Sequence, residues 1–140
     1  MKHFFITAFL FLSLGANAQT PATDLPASLG KTMKAMSTDL KAIAAQVSDA
    51  TKNENSAVLA DQFVALTLHA KDFSVDSIRD MPADQQTAAK AQYDKMLEQT
   101  AITGQQLAAA FRAGDNVLAA NLLKQLSQDK KDGHDKFKKD

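Results

Sequence analysis

The stretch PASLGKTMKAMSTDLKAIAAQVSDAT, residues 26–51, decides the fold. Its apolar residues Leu29, Met33, Met36, Leu40, Ile43 and Val47 recur at alternating steps of four and three. That is the spacing of one continuous face on an α-helix. Proline is tolerated in the first turn of a helix, so the spacing predicts a helix from Pro26 to Thr51.

Three further segments repeat the pattern. After KNENS, which carries turn and capping residues, Leu59, Phe63, Leu66, Ala70 and Phe73 form a second stripe. SVDSIRDMP reads as an irregular connection, and Pro82 opens a third helix that presents Tyr93, Leu97, Thr100, Gly104, Leu107 and Phe111. In RAGDN, Gly114 suits a left-handed helix end and Asp115 suits the cap of the next helix. The fourth helix, Asn116 to Lys138, has Ala119, Leu122, Leu123 and Leu126 inside. The composition is rich in Ala, Leu, Gln and Lys, which favours helix throughout. Four such segments with these links predict an all-α, up-down-up-down antiparallel four-helix bundle over residues 26–140; a three-helix bundle with one broken segment is the competing architecture.

Residues 1–18, MKHFFITAFLFLSLGANA, combine a basic start, an apolar run and small residues at Ala16 and Ala18. They read as an export signal, too short in its apolar run to span a bilayer, with cleavage before Gln19 and a lead over 19–25. Export to the periplasm and a soluble, monomeric mature chain are therefore expected. Setting residues 1–18 aside leaves 122 of the 140 residues, enough for one domain. Without Lys2, the 16 basic residues become 15 against 16 acidic ones, a formal charge of −1. Near-neutrality gives no basic face for nucleic acid. The absence of cysteine excludes disulfides, thiolate metal sites and covalent haem attachment.

Continuing the stripe of the fourth helix from Leu123 by seven, eleven and fourteen residues reaches Lys130, His134 and Phe137. His134 is thus expected on the buried face. In an up-down-up-down bundle Met33, roughly 10 Å into the first helix, lies level with His134, roughly 9 Å from the end of the fourth. A thioether and an imidazole converging in this way suit haem iron. Met36, one turn on, is the rival thioether, and Ala35, Gly104 and Gly133 are small enough to leave room. His69, in LTLHAKDF, reads as a surface or helix-end residue. No paired acid and base, Glu-x-x-His pattern, Ser/His/Asp set or glycine-rich phosphate loop is present, so an enzyme is not expected.

MKAMSTDLKAI and HDKFKK resemble the first-helix and C-terminal motifs of the cytochrome b562 family, four-helix bundles that hold haem without covalent linkage. The resemblance puts Met33, seven residues before the leucine of the Leu-Lys pair, in the methionine ligand position and His134 in the histidine ligand position. Gly114, twenty residues before His134, and Leu126 also fall on family positions, and Tyr93 and Leu97 stand where the family has two phenylalanines at the haem pocket. Gly133 replaces an aromatic, Leu97 a phenylalanine, and Lys130 an arginine. The resemblance implies a periplasmic electron-transfer protein with one non-covalent haem b, its iron held by Met33 and His134. Tyr93, Leu97 and Lys130 contribute to the pocket, with Lys130 or Lys136 facing the propionates, and a periplasmic redox protein is the partner. Two other readings remain open: an exported bundle without cofactor that acts through protein contacts, and a copper carrier using Met33, Met36 and His134.

Overall fold

The computed structural model describes residues 24–137. The expected export signal, most of the lead and residues 138–140 lie outside them. The described residues are helical with no strand: α1 (Leu29–Gln46), α2 (Asn53–His69), the single turn α3 (Asp76–Arg79), α4 (Ala83–Arg112) and α5 (Asn116–Phe137). None of these helices is long and apolar enough to cross a membrane. The four long helices pack as a bundle in which α2 lies on α1 and α4, and α4 on α5. Of the neighbouring long helices, α1 and α5 are the least closely packed pair.

The predicted boundaries of α1 are corrected at both ends. The helix starts at Leu29, because Ser28 is extended and its hydroxyl accepts the Lys31 amide at 3.3 Å. Pro26 lies outside, and its carbonyl accepts a hydrogen bond from His69 Nε2 at 2.9 Å. At the other end the Asp49 carboxylate accepts from the amide and hydroxyl of Thr51, at 3.0 and 2.6 Å. This competing local bond stops α1, and a 3₁₀ turn, Ala50–Lys52, leads into α2. The link between α2 and α4 is also more ordered than expected, since α3 forms inside SVDSIRDMP and buries Val75 and Ile78 at one end of the bundle.

Gly114 adopts φ +73°, as expected. The Asp115 amide reaches back to the Ala110 carbonyl at 2.9 Å and the Gly114 amide to that of Phe111 at 3.0 Å, which satisfies the last carbonyls of α4. Asp115 then caps α5 through the Leu118 amide at 2.9 Å. At this end Asn116 donates to the Val47 carbonyl (2.7 Å) and to Asn53 Oδ1 (2.8 Å), clamping α1, α2 and α5 together.

Gly104 serves a different purpose from the one expected of it. A Cβ there would stand 2.8 Å from a Val64 methyl and 3.2 Å from the Phe63 ring, so its smallness sets the approach of α2 to α4 and does not open a cavity. Valine is stiff at χ1 and cannot swing that methyl away at little cost. We expect Gly104→Ala to destabilise the protein by about 1–2 kcal/mol in chemical denaturation, the overpacking outweighing the helix propensity gained.

Asp39 is a polar intruder on the inner side of α1. It is 5% exposed, and its Oδ2 has no hydrogen-bond partner. Burial pushes its carboxyl up from the ordinary 3.8 to about 6. The folded state therefore favours the protonated acid, so the contribution is most favourable below the ordinary value and is lost as pH rises through about 6. Asp39→Asn should raise stability at pH ~8 by about 1–3 kcal/mol and change it little at pH ~4, as read from denaturation midpoints at both pH values.

Candidate functional site

The core is in two parts. The larger contains Met36, Leu40, Ile43, Phe63, Leu66 and Phe111, and the smaller, at the bundle end, contains Ala70, Val75, Ile78, Tyr93, Leu97 and Phe137. Met33 is half-buried and packs against both. Between them lies a cavity of about 500 Å³, with Met36, Leu40 and Phe63 on one side and Val75, Tyr93 and Phe137 on the other. Ser77 closes the end by donating its hydroxyl to the Phe137 carbonyl at 2.5 Å, which ties the α3 turn to the last turn of α5.

All five site residues read from the sequence line this one cavity: Met33, Tyr93, Leu97, Lys130 and His134. Met36 lines it too, at 8% exposure. His134 is not buried as expected but exposed. The physical reason is angular. The inner stripe of α5 runs through Leu122, Leu126, Asp129, Gly133 and Phe137, whereas Leu123, Ser127, Lys130 and His134 lie one residue round and face α1. Because α1 and α5 are loosely packed, that seam is open, and His134 stands on the rim shared by the cavity and a groove between the two helices. Lys130 is exposed on the same rim and hydrogen-bonds to Ser37 Oγ across the seam.

Of the three small residues expected to leave room, only Gly133 lines the cavity. Ala35 packs on the larger core. A Cβ at Gly133 would meet the Met96 methyl at 3.6 Å, so Met96 occupies space beside the glycine. Met96 sits off the stripe that carries Tyr93 and Leu97, so the spacing of that stripe does not mark it. Its position three residues after Tyr93 and four before Thr100, both cavity residues, was the available signal. Lys136 is exposed, with its ammonium 5.8 Å from the Phe137 ring centroid, and does not line the cavity.

Two buried polar atoms on the cavity residues have no hydrogen-bond partner: the Tyr93 hydroxyl and Asp129 Oδ2. Burial, then the charge of Asp94, pushes the Tyr93 phenol up to about 12, and its ring packs edge-on to Phe137 at 5.2 Å. Burial, then the charge of Asp132, raises the Asp129 carboxyl. Asp129 lies on the stripe that continues from Leu126, not on the one that continues from Leu123.

His69 lies on another surface. Its Nε2 must carry the proton donated to the Pro26 carbonyl, its Nδ1 is 3.4 Å from Asp72, and its ring meets Phe73 edge-on at 4.9 Å. It ties the chain before α1 to the end of α2, a structural role beyond the surface position expected. Among the described residues no three His, Cys, Asp or Glu side chains gather to hold a metal ion. Comparison of the chain with protein-family models, curated proteins and solved structures returned no match.

A buried phenol without a partner destabilises a fold relative to a phenyl ring of the same shape. Tyr93→Phe should therefore raise the stability of the ligand-free protein by about 1 kcal/mol, a gain measurable by thermal or urea denaturation.

Proposed function

We propose that this chain is a periplasmic electron carrier that holds one non-covalent b-type haem in the cavity, with Met33 and His134 as axial ligands. The observation that carries the reading is that a thioether from α1 and an imidazole from α5, distant in sequence, line one apolar cavity. A volume of about 500 Å³ lies within the usual range for small-molecule and cofactor sites. The donor set also fits, since methionine sulfur and neutral imidazole are established haem-iron ligands. The resemblance of MKAMSTDLKAI and HDKFKK to cytochrome b562 motifs points the same way.

The four long helices follow an up-down-up-down order in this reading. Cross-helix contacts support it: Gln46 with Ser56 and His69 with Pro26 for α1 and α2, Arg112 with Asp61 and Lys71 with Glu98 for α2 and α4, and Tyr93 with Phe137 for α4 and α5. That order brings the first turns of α1 and the last turns of α5 to one end.

A bound b-type haem supplies a one-electron ferric/ferrous couple. The chain's own residues do the rest. His134 would hold the iron through one ring nitrogen and Met33 through its sulfur, a pair that gives a higher potential than two imidazoles. Leu97, Phe63 and Phe137, which line the cavity, would exclude water from the bound group. Lys130, on the rim, is placed to meet a propionate. With Met33 and His134 both holding the iron, the group would supply electron transfer and not oxygen activation.

The test is an absorption spectrum of the protein mixed with haemin, oxidised and reduced, beside Met33→Ala, Met36→Ala and His134→Ala. The expected result is a low-spin, six-coordinate spectrum in the wild type and Met36→Ala that turns high-spin or disappears in the other two. A free-haemin spectrum in the wild type would overturn the reading and favour a bundle acting through protein contacts. One further observation favours a copper carrier as second reading: three thioethers, Met33, Met36 and Met96, line the cavity with His134. Calorimetric titration with cuprous ion would show one site lost in Met36→Ala if that reading holds, and no heat if the haem reading stands alone.

A further inference from the structure

The seam between α1 and α5 is a surface in its own right. It is a groove of about 840 Å³ that shares Ser37, Leu40, Lys130 and His134 with the cavity and then runs away from it along both helices. Its floor is apolar, made by Leu40 and Val47 of α1 and Leu123 of α5. Ala44 and Ala120 lie among them, small positions at which another backbone can approach. On α1 it extends from Ser37 to Val47, which at the helical rise is about 15 Å, or three turns.

The banks are basic. Lys41 stands on the α1 side and Lys124, Lys130 and Lys131 on the α5 side, with Asp135 as the carboxylate among the lining residues. Lys41, Lys124 and Lys131 are exposed and form no ion pair among the described residues. In a chain with formal net charge +0 this is a local concentration of positive charge. An apolar floor between unpaired lysines complements an amphipathic helix with acidic flanks, in the helix-in-groove manner of recognition. A nucleic acid backbone would have no use for the apolar floor.

We propose that the groove between α1 and α5 docks an acidic amphipathic helix of a partner protein. Docking there sets the partner against His134 and Lys130, at the mouth of the cavity. That this contact passes electrons rests on the haem reading; the docking itself does not.

The probe is a synthetic helix of about fourteen residues, ~21 Å long, with leucine on one face and glutamate elsewhere, beside a counterpart with lysine in place of glutamate. It is titrated into the ¹⁵N-labelled chain, with and without haemin. Amide shifts confined to residues on either side of the groove are expected for the glutamate peptide, weakening as salt is raised. The triple variant Lys41→Glu, Lys124→Glu, Lys131→Glu should bind that peptide at least about tenfold more weakly and take up the lysine peptide instead. The three side chains are exposed and Lys130 is left in place; circular dichroism confirms the variant's fold. Shifts mapping elsewhere, equal binding of both peptides, unaltered binding by the triple variant, or uptake by anionic lipid vesicles through the same lysines without peptide binding would each overturn the proposal. Peptide binding in the groove without any haem spectrum would leave the docking intact and remove the haem reading.

Discussion

The contact between α2 and α4 at Gly104 is the constraint on which the rest of the structure depends. With no side chain there, Phe63 and Val64 sit directly on the α4 backbone, and the two helices form the most closely packed pair in the bundle. α1 packs on one member of that pair and α5 on the other. Closeness on one side leaves slack on the opposite side, where α1 and α5 face each other. The slack is not uniform. Asn116 closes the seam at the Val47 end, whereas toward Ser37 it is spanned by the Lys130 hydrogen bond. The cavity and the groove both follow from this asymmetry.

The same asymmetry explains the chemistry gathered at the open end. Phenol, carboxylate, thioether and imidazole groups reach the cavity from α4, α5 and α1. In a closely packed interior, groups left without partners such as the Tyr93 hydroxyl and Asp129 Oδ2 are costly and uncommon. Here they border space that another molecule can fill.

Most of the fold is legible in the sequence because helices write their buried faces at a fixed period. Leu40, Ile43, Phe63, Leu66, Leu107, Phe111 and Leu126 are all inside as the spacing indicates, and Gly114 and Asp115 turn the chain where their backbone and capping chemistry requires. What periodicity leaves unread is of three kinds. Short local competitions, Ser28 against Pro26 and Asp49 against helix continuation, move boundaries by a few residues. The single turn α3 is too brief to show a period. Leu122 and Leu123 are both apolar and both buried, so the spacing leaves open which of two stripes, one residue or about 100° apart, runs inward, and that choice decides between Gly133 and His134 for the inner place. That Met33, Tyr93, Leu97, Lys130 and His134 gather at one cavity was legible; the exposure of the histidine was not.

A core in two parts has a consequence for how the molecule opens. The end cluster of Val75, Ile78, Tyr93 and Phe137 is divided from the main core by the cavity, and Met33 and the Ser77 bond to Phe137 help hold it in place. Regions that bury little shared surface open as separate cooperative units, at a lower free energy than global unfolding. By that principle the last turn of α5 and the α3 turn, tied to each other by the Ser77 bond, are the part expected to open ahead of α2 and α4.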